Sequence, residues 1–297
     1  MVRTHSYRPI RYFALTFLVT YALWFAGAYA SHQPETQDTA ILFVIVGMMV
    51  PFMISLAIVL SRGQSELRRD FFNRLCNLRL VRVRTLPALL LIMPLTVLAS
   101  IAISVAFGGS VEQFQFAEGF SFSSGCVPVL LTLLLAATFE ELGWRGYAFD
   151  SLQSKFSLFK ATIVFSVLWS LWHFPLVFVF DSYQYVVTQE SIWYGLNFFV
   201  SIIPMGVIIT WFCIKNGKSI PAAILFHFLI NMCQELLSMT QMTKCIETGV
   251  LLVIAVALVV LDRRMFFSTG HLMEDAGQRP SQSTVNLEKT GIVAPAN

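Results

Sequence analysis

Apolar residues run along this chain in long stretches, and polar residues gather in short knots between them. A helix that crosses a bilayer needs about 20 mostly apolar residues. Eight segments meet that requirement: 11–30, 39–61, 85–107, 126–149, 160–180, 192–214, 220–239 and 246–262. The pattern predicts an all-α polytopic membrane protein, with about eight transmembrane helices around a cytoplasm-facing intramembrane cavity. Residues 1–267 form a single transmembrane domain on this reading. Residues 268–297, rich in Ser, Gln, Thr and Asn, form a polar and disordered C-terminal tail.

The knots alternate in charge. One set holds Arg3, Arg8 and Arg11, then seven arginines between Arg62 and Arg84, then Lys155 and Lys160, Lys215 and Lys218, and Arg263 and Arg264. The other set holds Glu35 and Asp38, Glu112 and Glu118, and Asp181 and Glu190, with Lys244 as its cation. The excess of Lys and Arg marks cytoplasmic loops, so both termini and every basic knot are expected in the cytoplasm. "AYAS" at 28–31 resembles a signal-peptide cleavage site, but the apolar stretch before it is long for a signal. A retained helix is expected there. The 62–84 segment sets Phe71, Phe72, Leu75, Leu78 and Leu80 among its arginines. It reads either as a basic amphipathic helix on the inner leaflet or as a solvated loop.

Composition agrees with the pattern. Of 297 residues, 56% are hydrophobic and 12% charged, against about a quarter charged in soluble domains. A net charge of +3 gives no reason to expect nucleic acid as a partner; membrane lipids are the expected surroundings. The five cysteines (Cys76, Cys126, Cys213, Cys233 and Cys245) contain no CxxC pair and read as buried thiols. A Cys126–Cys245 bridge near the outer ends of two spans stays open.

The fourth span contains "LLLAATFEELGWRGYAF" at 133–149, which sets Glu140, Glu141 and Arg145 into an apolar run. An ionisable group at membrane depth costs several kcal/mol unless it faces a partner or a cavity. His173, His227 and Asn231 belong to the same short set, with Asn197 and Glu235 behind them. At a rise of 1.5 Å per residue, Glu140 lies about 13 Å, His227 about 10 Å and His173 about 18 Å from the cytoplasmic ends of their spans. Three helices thus bring polar groups to comparable depths. Glu141 and Arg145 share a helix face and can pair, which leaves Glu140 to face elsewhere. His227 and Asn231 share a face as well. Pro175 removes a backbone donor beside His173 and is expected to splay the fifth span there.

Taken singly, each group has an ordinary reading. Glu141 with Arg145 can be a structural pair, a buried histidine an interhelical hydrogen bond, and Asn231 interhelical glue. Glu235 reads as interfacial, and Trp169 and Trp172 read as lipid contacts. Agreement in depth sets Glu140, His173, His227 and Asn231 apart. A carboxylate and a histidine sharing a water can act as general base and orienter. A second histidine with a neighbouring amide can stabilise an oxyanion. No serine or cysteine stands in a nucleophile arrangement, so the chemistry expected is hydrolysis of an amide or ester by water. Two histidines and a glutamate could also hold zinc.

Three motifs carry a resemblance. "EELGWR" at 140–145, "WSLWH" at 169–173 and "HFLIN" at 227–231 resemble the EExxxR, [FW]xxxH and Hxxx[ND] motifs of the CPBP family of CAAX proteases and bacteriocin-processing enzymes. The resemblance covers roughly residues 126–235 and is closest to the type II CAAX prenyl endopeptidases. It implies an intramembrane endopeptidase that removes the last three residues of prenylated proteins or peptides ending in a CAAX motif. Glu140 and His173 would activate the water, His227 and Asn231 would form the oxyanion hole, and Glu141 and Arg145 would support them. It implies no metal or other cofactor, with zinc the lesser alternative, in the cell membrane of a prokaryote or the endoplasmic reticulum of a eukaryote. Two rivals remain: a non-catalytic immunity or scaffold protein, and a proton-coupled transporter. The transporter is disfavoured because the buried charges cluster toward one side and no paired broken helices are visible.

Overall fold

The computed structural model describes residues 7–119 and 128–267. Twelve α-helices are found among them: α1 (Pro9–Ser31), α2 (Gln37–Leu60), α3 (Ser65–Cys76), α4 (Leu86–Ala106), α5 (Val129–Gly143), α6 (Phe149–Gln153), α7 (Leu158–Trp172), α8 (Tyr183–Glu190), α9 (Ile192–Lys215), α10 (Ile220–Leu236), α11 (Gln241–Leu261) and α12 (Arg263–Phe267). The described residues contain no strand beyond one isolated bridge between Phe116 and Leu237. The protein is an all-α integral membrane protein.

All eight apolar segments are helical, but they divide into two kinds. Six are long and apolar enough to cross a bilayer: α1, α2, Val83–Ala106, Leu158–Phe178, α9 and α11. The other two carry Glu140 and Glu141, and His227 and Asn231. α10 has 17 residues, started by Ser219, whose side chain accepts the Ala222 N–H, and by a proline in its first turn. α5 has 15 residues and continues into α6 through a π-turn at Trp144–Ala148. α10 contacts α9, α5 contacts α2, and the two contact each other, so protein neighbours replace lipid around their polar groups.

The fifth span behaves as its proline predicts. α7 stops at Trp172, His173 caps it, and the chain tightens into a 3-10 helix over Phe174–Phe178. Pro175 has no N–H to extend the α ladder. His173 therefore sits at a break between two kinds of helix.

Two connecting segments are more ordered than a loop. The 62–84 segment is helical at α3, followed by 3-10 turns at Leu78–Leu80 and Val83–Thr85. Leu67 and Phe71 are buried while Phe72 is exposed. The helical reading of this segment holds, but part of its apolar stripe covers the protein and not lipid. α8 occupies 183–190, where the sequence pattern gave no helix; Ser182 caps it by accepting the Tyr185 N–H. α1 is built into the bundle, with Tyr12, Thr16, Thr20 and Trp24 buried. The 268–297 tail and Cys126, and so the Cys126–Cys245 bridge, lie outside the described residues.

Candidate active site

Glu140 and Glu141 are neighbours on α5 and point about 100° apart around the helix. Their partners differ accordingly. Glu141, fully buried, accepts a hydrogen bond on Oε1 from His227 Nδ1 of α10 at 2.9 Å. Its Oε2 stands 3.3 Å from Nη1 of Arg145, the i,i+4 pair expected from the spacing. The Arg145 guanidinium also lies 4.5 Å from the centre of the Phe165 ring. An ion pair and a cation–π contact thus offset the cost of burying this cation.

Glu140 turns toward α7. Its Oε2 accepts two indole N–H bonds, from Trp169 at 2.7 Å and from Trp144 at 3.3 Å. Oε1 makes no hydrogen bond to the described residues. One carboxylate oxygen is pinned and the other is left available.

Trp169 draws the remaining groups together. Its ring packs edge-on against His227 with centroids 5.2 Å apart, and lies tilted against His173 at 6.2 Å. Its carbonyl oxygen accepts from His173 Nδ1 at 2.9 Å. A carbonyl or carboxylate can only accept, so Nδ1 carries the proton in both histidines and Nε2 is the nitrogen left to each. His173 and Asn231 are half-buried, and the Asn231 amide has no hydrogen-bond partner among the described residues. Asn231 stands one turn beyond His227 on α10. Glu140, His173 and His227 are therefore gathered around one tryptophan, with Glu141 and Arg145 behind them and Asn231 one turn along α10.

Residues 122–233, which include all three motifs, match the family described as type II CAAX prenyl endopeptidase Rce1-like. The CAAX prenyl protease 2 of Methanococcus maripaludis is 58% identical over 267 residues, covering 90% of this chain and 98% of that protein. This chain belongs to the type II CAAX prenyl endopeptidases. It is a membrane endopeptidase, and the non-catalytic and transporter readings give way.

For this endopeptidase the sequence reading of the tryptophans needs correction. Trp169 and Trp172 are not lipid contacts: they are 3% and 1% exposed. Trp169 is a hydrogen-bond donor to the candidate base, and Trp172 packs against Trp24, Trp144 and His173. The available signal was spacing, since Trp169 lies four residues before His173 and shares its face. A second omission is Glu247 of α11, which is 1% exposed and within 3.4 Å of Gln234 Nε2. Glu235 is not freely interfacial either, because Lys244 stands 4.0 Å away.

An ion cluster closes the end of the site nearest the basic knots. Arg74 of α3 contacts Asp70 at 2.8 Å and Asp150 at 3.0 Å, and Lys218 reaches Asp150 at 3.2 Å. Burial pushes the Asp150 carboxyl upward, but Lys218 and Arg74 outweigh it and hold the group below its ordinary value. Among the described residues no three His, Cys, Asp or Glu side chains group as a metal site. An apolar groove of about 440 Å³, lined by Leu23, Thr39, Leu42, Phe43 and Val46, includes none of these residues.

Proposed function

We propose that this endopeptidase hydrolyses the peptide bond after the prenylated cysteine of proteins or peptides ending in a CAAX motif, releasing the last three residues. Water is the nucleophile. Glu140 Oε1 takes its proton while His173 Nε2 orients it. The hydroxide adds to the carbonyl carbon, and the developing oxyanion receives hydrogen bonds from the Asn231 amide and His227 Nε2. For Nε2 to donate, the His227 ring carries both protons, and Glu141 on Nδ1 balances that charge. Glu140 then returns the proton to the leaving amine, so water is divided between the two products.

The observation that carries this reading is the asymmetry of Glu140. Two indole donors fix one oxygen, the other has no hydrogen-bond partner among the described residues, and the tryptophan that fixes it also touches both histidines. The name of the Methanococcus maripaludis relative, CAAX prenyl protease 2, supports the substrate class. The reading needs no metal or other cofactor. The basic knots support cytoplasmic termini and cytoplasmic delivery of substrate in a cell membrane.

The test is cleavage of a farnesylated peptide ending in CAAX by the full chain, with Glu140→Gln, His173→Ala, His227→Ala and Asn231→Ala beside it. Retained turnover in Glu140→Gln would remove the mechanism. Near-stoichiometric zinc in active protein, lost together with activity in chelator, would replace it with a metal-dependent one.

A further inference from the structure

In an α-helix the N–H of Phe149 would bond the carbonyl of Arg145, four residues back. Here it bonds the carbonyl of Trp144, so the Arg145 carbonyl is passed over. A buried acceptor left without a donor costs about 1–3 kcal/mol. The donor comes from a different helix. Arg74 of α3 gives Nη1 to Arg145 O at 2.9 Å and Nη2 to Gly146 O at 3.3 Å. Its guanidinium is itself buried and held by Asp70 and Asp150.

Neighbouring contacts fit this arrangement. A Cβ on Gly146 would stand 2.8 Å from the Phe71 ring and 2.7 Å from Ser55 Oγ, so only glycine lets α3 approach the turn this closely. One residue before the turn, the Gly143 carbonyl accepts from Tyr12 Oη at 3.2 Å, a hydroxyl shared with Pro51 O. The slipped turn is thus braced from α1 and from α3.

A π-turn rotates the helix beyond it relative to the helix before it, and such turns gather at functional sites. This one begins at Trp144, which donates to Glu140, and contains Arg145, which pairs with Glu141. We infer that Arg74 is a positioning residue for peptide-bond cleavage. By holding the Arg145 and Gly146 carbonyls it keeps the π-turn formed. The turn in turn fixes Trp144 on Glu140 and Arg145 on Glu141, and through Glu141 the ring of His227. The inference rests on the proposed roles of Glu140 and His227.

Arg74→Lys separates geometry from charge. Lysine keeps a cation beside Asp150 but cannot span two carbonyls with a planar fork. With the full chain and a farnesylated CAAX peptide, kcat should fall roughly tenfold or more while KM stays within about twofold, in a protein that still unfolds cooperatively with only the modest drop in melting temperature that a buried carbonyl without its donor brings. Unchanged kcat in a folded Arg74→Lys protein overturns the inference. So does a loss of kcat that merely tracks lost thermal stability across Arg74→Lys and Arg74→Gln. Should Arg74→Lys not purify folded, Tyr12→Phe carries the test, since it deletes only the hydroxyl on Gly143 O. A severalfold fall in kcat at constant KM supports the brace, and none overturns it. Glu140→Gln runs in parallel: if it stays active, the proposed mechanism fails whatever Arg74 does. If it is dead while Arg74→Lys matches the unmodified protein, only the brace fails.

Discussion

Gln113 and Asn231 are both side-chain amides set among apolar helices, and they are used in opposite ways. Gln113 is saturated: its amide nitrogen donates to Ser104 Oγ and Ser110 O, each at 3.2 Å, and its oxygen accepts from Thr240 and Thr243. Asn231 has no partner among the described residues, and it stands one turn from His227, whose Nε2 is equally unengaged. A closed polar network has nothing left to offer a substrate; it rigidifies the helices that contribute to it. An open set of donors and acceptors, converging from α5, α7 and α10, keeps its hydrogen-bonding capacity for a reacting molecule. On the proposed mechanism the first cluster is glue and the second is machinery.

The largest expected effect comes from the open cluster. Glu140→Gln keeps the shape and one acceptor for the indoles but removes the proposed base, so turnover of a farnesylated CAAX peptide should fall by roughly 10³-fold or more. The protein should still purify folded. Comparable turnover in the glutamine variant would mean that the unengaged oxygen is incidental, and the contrast with Gln113 would lose its functional half. Trp169→Phe is next. It keeps the ring against both histidines and deletes the 2.7 Å bond that fixes Glu140, so kcat should fall about 10–100-fold with KM little changed. A phenylalanine variant with normal kcat would show that Trp144 alone can orient the carboxylate.

How much of this was legible beforehand differs between the two kinds of cluster. The membrane architecture and the pairing of Glu141 with Arg145 follow from hydropathy and helical spacing, and both are found. The gathering of Glu140, His173 and His227 could be inferred from depth alone, because a 1.5 Å rise turns residue number into height. Which atom bonds which could not. Trp169 looked like any aromatic in a membrane helix, and its role depends on a rotation that brings its indole N–H to α5. Arg74 looked like one of seven arginines in a basic knot. Nothing local marks it as the residue that turns inward, because its partner carbonyls exist only once the α5 helix slips by one residue. The Gln113 network was invisible for the same reason: its members come from three separate segments, and no periodicity joins them.

Third in expected effect is the ion group at Asp150. Asp150→Asn leaves Arg74 buried with Asp70 alone and Lys218 without its carboxylate, a loss of about 3 kcal/mol for a broken buried pair. Turnover should fall less than in Trp169→Phe, because Arg74 still reaches the two carbonyls. The pH dependence follows from the sign of the shift. Asp150 is held below its ordinary value of 3.8, so the folded state binds its proton less readily than the unfolded one. Its stabilisation is therefore complete at neutral pH and lost as pH falls below about that ordinary value. Thermal unfolding of the unmodified protein should show this acid loss, and the asparagine variant should lack it. Equal acid sensitivity in both would place the titrating group elsewhere.

The smallest effect on turnover is expected where the polar network is closed. Thr243→Val removes a hydroxyl that donates within the Ser104–Gln113–Thr240 group while keeping the side chain's volume. The cost should be about 1–2 kcal/mol of stability, because acceptors that stay buried lose a donor, and kcat and KM should both hold. The variant tests the principle behind the comparison more sharply than any active-site change does. If saturation marks structure, stability must move and catalysis must not. A fall in kcat at unchanged KM would mean that the α4–α11 contact reports to the site, with α10 as the physical route. That helix packs on α4, donates from Gln234 to Glu247 of α11, and carries Asn231 three residues before Gln234.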